Sequence, residues 1–371
     1  MVDLKSQYEK IKDTVNASIQ EVLDSNTYIN GPEVQKFQKN LEEYLGVKHV
    51  IPCANGTDAL QIAMMGLGLK PGDEVITADF TFAATVETIA LLQLTPVLVD
   101  VDLYNMNINI DAIRKAITPK TKAIIPVHLF GRAANMEAIM RIANEHNLFV
   151  IEDNAQAIGA NCKFSDGTKK KAGTIGHVGA TSFFPSKNLG CYGDGGAIFT
   201  NDDALADILR GIVNHGMYER YHHDVVGVNS RLDSIQAAVL NAKLPLLDSY
   251  GKARQEAARK YSAAFEGHKN IVAPTICDIC DCHVFHQYTL RIIDADRNGL
   301  MQHLLDNGIP CAIYYPIPLH LQKAYADVRY QEKDFPITNQ LVKEVLSLPM
   351  HTELDDEQIN FITETVLDFL K

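Results

Sequence analysis

A chain of 371 residues with 46% hydrophobic content carries enough apolar mass for a large core and two domains, which excludes a disordered or fibrous protein. Its formal charge of −12 repels phosphate backbones, so nucleic acid is not the expected partner and small or zwitterionic ligands fit better. No apolar run approaches the roughly 20 residues that span a bilayer, and the polar start MVDLKSQYEKIKD does not read as a signal peptide. With 7 scattered cysteines suited to a reducing compartment, the chain is expected to be cytoplasmic, without a membrane partner and with free thiols.

Apolar residues at Ile11, Val15, Ile19 and Leu23 recur at helical spacing and predict an amphipathic helix over 4–23. The turn Tyr28-Ile29-Asn30-Gly31-Pro32 leads into a second helix over 33–45, and a short strand over 49–52 follows. That strand turns through Asn55-Gly56-Thr57-Asp58 into a helix over 59–67, and such a helix start offers free backbone N–H groups and a positive dipole end to a phosphate. From these residues alone it is equally an ordinary turn capped by Thr57 or Asp58.

Strand-like runs over 74–78, 96–101, 123–127 and 148–152 then alternate with helical stretches over 85–92, 110–117 and 136–146. A repeated βα pattern implies an α/β fold, an open and mostly parallel sheet with helices on both faces, whose ligands bind beyond the carboxyl ends of the strands. The residues placed there are Phe80 and Phe82, His128, Phe130 and Gly131, and Asp153 and Gln156. A nicotinamide-binding reading needs GxGxxG between the first strand and its helix, and only Asn55-Gly56-Thr57 is present, so a dehydrogenase is disfavoured.

The stretch GATSFFPSKNLGCYGDGGAIFT follows, with strand-prone runs over 180–184 and 197–200 around a loop carrying Lys187 and four glycines, Gly190, Gly193, Gly195 and Gly196. Glycines let backbone approach a ligand closely, and a lysine at the mouth of an apolar strand pair is partly desolvated, which favours the neutral amine needed for Schiff-base chemistry. The plain alternative is an exposed hairpin with a solvated lysine.

A helix over 202–214 precedes a long polar stretch over 218–231 that holds Arg220, His222, His223, Asn229 and Arg231, the profile of a functional loop. Helical segments over 232–244 and 248–265 lead onward, with a domain boundary near Lys243 that divides the chain into 1–243 and 244–371. The second part mixes strands over 288–293 and 312–315 with helices over 298–307, 336–345 and 355–369, a small α+β domain. Cys277, Cys280 and Cys282 precede His283 and His286, but a single CxxC without a second pair reads as a thiol-rich surface loop, and no metal is expected.

A Schiff-base lysine, a carboxylate at a strand end, an aromatic ring after another strand and a phosphate-type helix start together suit pyridoxal 5′-phosphate. The motifs Gly31-Pro32-Glu33, Asn55-Gly56-Thr57-Asp58-Ala59-Leu60, Ile151-Glu152-Asp153, Ala155-Gln156, Ser182-Phe183 with Lys187, Gly193-Asp194-Gly195-Gly196, Gly227 with Asn229 and Arg231, and Ser347-Leu348-Pro349-Met350-His351 run in order along nearly the whole chain. In them the sequence resembles the sugar aminotransferases of the DegT family, among the fold type I pyridoxal-phosphate enzymes. The resemblance implies a large mostly parallel sheet domain with a small C-terminal α+β domain, and homodimers with shared active sites.

Position by position, the resemblance makes Lys187 the Schiff-base lysine and Asp153 the partner of the pyridinium nitrogen, both catalytic. It stacks Phe82 on the ring, sets Gln156 near the phenolic oxygen, and gives phosphate donors to Gly56, Thr57 and Ser182, with Asn229 reaching the neighbouring subunit's cofactor. Arg231, Tyr314, Tyr315 and Tyr28 fall to the substrate. Asn154 stands where the family usually has alanine. The segments around Lys187, Asn229 and Tyr315 most resemble members that move an amino group from glutamate to C-3 of a UDP-linked 3-keto-N-acetylglucosaminuronic acid, although Tyr314 occupies a position expected to hold histidine. A dTDP-linked 3-keto-6-deoxyhexose is the alternative acceptor. A non-catalytic pyridoxal-phosphate-binding regulator is the reading from another class, disfavoured by the presence of Lys187 and the absence of a basic face.

Overall fold

The computed structural model describes residues 1–276 and 282–371. Seven strands form the large sheet: β1 (His49–Cys53), β2 (Glu74–Ala78), β3 (Thr95–Val99), β4 (Thr121–Ile125), β5 (Phe149–Asp153), β6 (Val178–Ser182) and β7 (Gly196–Thr200). Their order is β1-β7-β6-β5-β4-β2-β3, and β7 alone runs antiparallel to both of its neighbours. The mostly parallel α/β sheet read from the βα alternation is therefore present. Its central strands are covered on both faces, which is why they are near-continuous apolar runs.

Alternation along the strands sorts residues between the two faces. Ile76, Ile124 and Val150 pack with Ile113 of α5 (Ile110–Ala116) and with Ile139 and Ile142 of α6 (Met136–His146). Val75, Ile125 and Ile151 point the other way, against Leu60 and Ala63 of α3 (Gly56–Gly66) and Leu209 of α7 (Asp203–Ile212). At the β1–β7 end, Val50 and Phe199 meet Phe37 of α2 (Pro32–Leu45) and Leu240 of α8 (Ser234–Lys243). Expected and observed helix bounds differ by a residue or two, except that α3 starts at Gly56, with Asn55 rather than Thr57 or Asp58 as its cap: Asn55 Oδ1 accepts from the Asp58 N–H at 2.8 Å.

A second core lies in the C-terminal part, where Tyr261 of α9 (Leu247–Ala264), Leu300 of α10 (Arg297–Asp306) and Val366 of α12 (Asp356–Phe369) enclose a three-stranded antiparallel sheet. Its strands are β8 (Ile271–Val272), β9 (Tyr288–Ile292) and β10 (Val345–Leu348). By contrast, Leu341 of α11 (Pro336–Glu344) joins the core of the large sheet, and the N–H groups of Ile337 and Thr338 donate to Asp100 at 2.8 Å each.

Two elements differ from expectation. The strand read over 312–315 is reduced to one bridge, Ala312 opposite Ser347, after which the chain leaves the sheet with Tyr314 and Tyr315. Pro316 follows at once and cannot donate to a ladder. The strand beside β9 is β10, of whose residues the helix expected over 336–345 includes Val345 alone. The polar stretch over 218–231 contains a short ribbon, Met217–Glu219 against His222–His223. Cys277 and Cys280 lie outside the described residues. Their neighbour His283 is buried and stacks on Phe285 at 3.8 Å between ring centroids.

Asn154 is 0% exposed, and neither the nitrogen nor the oxygen of its side-chain amide has a hydrogen-bond partner among the described residues. A buried unpaired amide is destabilising, and the alanine that the family resemblance leads one to expect at this position removes it at the expense of a small void. Asn154→Ala is expected to stabilise the fold by about 1 kcal/mol in denaturant unfolding, with turnover retained.

Candidate active site

The end of β5 carries two adjacent carboxylates that the strand sends to opposite sides. Glu152 is wholly buried and accepts backbone N–H bonds from Gly173 (2.8 Å), Ile175 (2.6 Å) and Gly176 (2.6 Å). It also accepts from His128 Nε2 at 2.9 Å, and because Ala134 N–H donates to His128 Nδ1 at 3.0 Å, the ring proton sits on Nε2. Asp153 is 5% exposed, and its Oδ2 accepts from Thr85 Oγ1 at 2.8 Å while Oδ1 accepts from the Ala155 N–H at 3.2 Å. Burial raises its pKa above the usual carboxylate value, against the hydrogen bonds of Thr85 and Ala155 and the charge of Lys187.

Lys187 lies in the loop between β6 and β7, with its backbone N–H on the Phe184 carbonyl at 2.8 Å. Burial lowers its amine to about 8, and Asp153 is the charge that pulls it back up. The loop is pinned from behind. Lys243 is 1% exposed and donates from Nζ to the Gly190 carbonyl at 2.6 Å, and Asn188 Nδ2 donates to the Val284 carbonyl at 3.0 Å.

Above this pair sit aromatic rings. Phe82 is 57% exposed, high for a phenylalanine, and its ring centroid lies 6.2 Å from that of Tyr315. Gln156 is buried, accepts from the Phe130 N–H at 2.6 Å and donates from Nε2 to Tyr315 Oη at 3.0 Å. Phe130 and Gly131 both have positive φ, and a Cβ on Gly131 would stand 2.8 Å from the backbone nitrogen of His286, so this turn requires glycine.

At the other end, the N–H groups of Gly56 and Thr57 precede the first intrahelical bond of α3, from Ala59 N–H to the Asn55 carbonyl at 3.1 Å. A Cβ on Gly56 would come within 2.7 Å of Ser182 Cβ, so glycine lets the helix start and the end of β6 meet. The structure thus joins Asp153, Lys187, Phe82, Gln156 and Tyr315 in one neighbourhood, and Gly56, Thr57 and Ser182 in a donor cup. This donor set fits pyridoxal phosphate: an amine, a buried carboxylate, an uncovered ring and free helix N–H groups.

Of four further candidates, Tyr314 adjoins this neighbourhood, its ring 5.9 Å from that of Tyr315, and the other three stand apart by their contacts. Asn229 is exposed and bridges Asn214, and Arg231 donates to Asn214 Oδ1 at 3.3 Å and pairs with no carboxylate among the described residues. Tyr28 is 42% exposed and donates to Asn26 Oδ1 at 2.9 Å. Tyr314 is half-buried and lines a small cavity with Ser186, His286 and Gln287. Sequence reasoning missed Thr85, Glu152 and Lys243. The available signal was a charged residue inside or beside an apolar run, at Glu152 and at Lys243.

The profile of the DegT/DnrJ/EryC1/StrS aminotransferase family matches residues 9–367. The chain belongs to this family. Among its relatives is the UDP-2-acetamido-2-deoxy-3-oxo-D-glucuronate aminotransferase of Pseudomonas aeruginosa, 47% identical over 361 residues, 97% of each chain. A protein of Geobacillus stearothermophilus named pleiotropic regulatory protein is 45% identical over 100% of this chain and 98% of its own. Among solved structures, S. venezuelae DesV in complex with a ketimine intermediate superposes with a TM-score of 0.94 at 38% identity, covering 100% of this chain and 98% of that one.

The lowered amine gives the aminotransferase a measurable signature. Below about 8 Lys187 carries its proton and is unreactive, and above it the free amine predominates. Acylation of cofactor-free protein, followed peptide by peptide, is expected to reach half its limiting rate at Lys187 near pH 8, about two units below exposed lysines. Lys243, lowered to about 8 as well but sealed against Gly190, is expected to stay unlabelled.

Proposed function

We propose that this aminotransferase moves an amino group from L-glutamate to the C-3 keto group of a nucleotide-linked sugar, a UDP-linked 3-keto-N-acetylglucosaminuronic acid, for cell-surface polysaccharide synthesis. The observation that carries the chemistry is the half-buried Lys187 amine, lowered to about 8 and held in the field of Asp153. The substrate reading rests on the Pseudomonas relative's name. When bound, pyridoxal 5′-phosphate supplies the electron-accepting ring that carries the amino group between donor and acceptor, as pyridoxamine phosphate between the half-reactions.

Each residue has a task its position suits. Asp153, oriented by Thr85 and the Ala155 N–H, presents a carboxylate to a protonated ring nitrogen. Lys187 Nζ takes up and returns a proton, which an amine near 8 does at neutral pH with little bias. Phe82 offers its uncovered face to a ring, Gln156 and Tyr315 offer polar edges, and Gly56, Thr57 and Ser182 offer donors to a phosphate.

A regulatory role is favoured by the Geobacillus relative's name. Against it stand Lys187 and the oriented Asp153, which binding without turnover does not require. We extend the proposal to a cytoplasmic homodimer with shared sites and to a division into 1–243 and 244–371. The support for sharing is a loop with Tyr221 at 76% and Val226 at 86% exposure beside Asn229, more apolar surface than a solvated loop needs. Mixing inactive Lys187→Ala subunits with inactive Asn229→Ala subunits is expected to restore part of the turnover, because a mixed dimer holds one undamaged site. Absence of recovery after verified subunit exchange overturns sharing.

The acid specificity falls to Arg231, whose guanidinium has only Asn214 as a side-chain partner among the described residues. A guanidinium binds a carboxylate with two parallel hydrogen bonds that lysine cannot reproduce. Arg231→Lys is expected to lower kcat/KM by an amount equivalent to about 1–3 kcal/mol, with an acidic sugar suffering more than a neutral one. The deciding assay offers keto nucleotide sugars to the pyridoxamine form and follows return of the aldehyde spectrum. Faster turnover of a neutral dTDP-linked 3-keto-6-deoxyhexose would replace the uronic acid as acceptor.

A further inference from the structure

Outside the residues above, one buried Asp–His pair joins distant parts of the chain beside the site. Asp79 directly follows β2, and both of its oxygens are taken by one residue: Oδ1 accepts the backbone N–H of His320 at 2.8 Å, and Oδ2 accepts from His320 Nδ1 at 2.6 Å. The two side chains are 0% and 1% exposed. The Leu319 N–H adds a bond to the Asp79 carbonyl at 3.3 Å. Burial pushes the Asp79 carboxyl up to about 6, and the bond from His320 pulls it back.

The ring of His320 is bedded face to face on Phe335, 4.4 Å between centroids and 17° between planes. Its Nε2 is buried and has no hydrogen-bond partner among the described residues. Leu319 and Phe335 pack with Val86 and Leu98, and Tyr330 Oη receives the Leu98 N–H at 2.8 Å, so the whole segment lies along the β2–β3 edge. A polar ring sealed in this way, with one nitrogen left bare, is expensive to keep for stability alone.

What the pair sits between is decisive. Phe82 follows Asp79 at the end of β2, and Tyr315 precedes His320 on the incoming segment. The Tyr315 ring lies 6.2 Å from Phe82 and 6.1 Å from Phe80, and its hydroxyl meets Gln156 at 3.0 Å. Two short pieces of chain are thus clasped at one end by a two-point hydrogen-bonded contact and face each other with rings at the other.

We infer that Asp79 and His320 are a positioning pair that sets the spacing between Phe82 and Tyr315, the rings that the proposed function places against cofactor and substrate, on which reading this inference rests. Neither residue touches a reacting atom. Their effect reaches the site through the two backbone segments they fasten.

The test titrates cofactor-free protein with pyridoxal 5′-phosphate, and separately measures KM and kcat for the sugar. His320→Phe keeps the stack on Phe335 and removes the donor, and it is expected to weaken cofactor affinity about tenfold, the size of a lost charge-assisted hydrogen bond. His320→Asn returns an N–H near the place of Nδ1 and is expected to recover affinity to within about threefold of the natural protein. In a Phe82→Leu background, the further loss from His320→Phe is expected to shrink to under about twofold, because the ring being positioned is gone.

A folded His320→Phe protein with natural affinity and natural sugar KM overturns the inference. So do losses that simply add in the double variant, which would make the clasp a structural tie only. Unchanged affinity in Phe82→Leu alone overturns the placement of Phe82 against the cofactor, and with it this inference, and is distinguishable because it needs no change at His320. Should His320→Phe not fold, the isosteric Asp79→Asn reads the same pair, and natural affinity there is again an overturning result.

Discussion

A wholly buried carboxylate, Glu152, holds the centre of this molecule together. It gathers N–H donors from Gly173, Ile175 and Gly176 and the imidazole of His128, groups that come from two different crossings of the sheet. A carboxylate without water must have such partners, and removing any of them leaves charge poorly compensated, so the turn over 173–176 and the turn after β4 are both obliged to close on the end of β5. Because successive residues of a strand face opposite ways, fixing Glu152 on one side fixes Asp153 on the other. The site carboxylate is thus oriented by a neighbour that never reaches the site.

The lysine is held by the same logic applied to backbone. Its loop carries no helix or ladder of its own between β6 and β7, yet Lys243 and Asn188 each tie it to a separate element through a carbonyl. A mobile lysine loop would let water in and return the amine toward its ordinary value, so the lowered value near 8 depends on this bracing. Lys243 itself is a charged group committed to a structural contact, with the Tyr192 ring 5.3 Å from its Nζ as further compensation.

The order of βα units, the lysine hairpin and Asp153 were legible because each leaves a local trace: short apolar runs alternating with helical stretches, clustered glycines, a carboxylate closing a strand. Resemblance to a family added roles for Phe82, Gln156, Gly56 and Ser182, and the structure sets these beside Asp153 and Lys187 or at the helix start. What stayed hidden joins residues far apart in sequence. Thr85 to Asp153, Gly190 to Lys243 and Asp79 to His320 are pairings that no local pattern encodes. Tyr314 and Tyr315 read as strand because aromatic residues between apolar ones favour pleated surface, but the segment bridges β10 only at Ala312 and Pro316 cannot extend a ladder.

The single antiparallel strand has a bearing on how the protein is made. β7 and β6 form a local hairpin around Lys187, but β1, which carries the chain into the α3 helix start, finds its only sheet partner among the described residues in β7. From Cys53 to its ladder partner Gly196 lie more than 140 residues. At ribosomal speeds of about 5–20 residues per second, the phosphate-type cup and its flanking strand must wait on the order of ten seconds for the chain that completes them. During that interval β1 is an unpaired edge, and its residues Val50 and Ile51 are apolar. The strand left open on a nascent chain is therefore the one next to the phosphate-type cup, and α2, made before it, already supplies Phe37 to cover Val50.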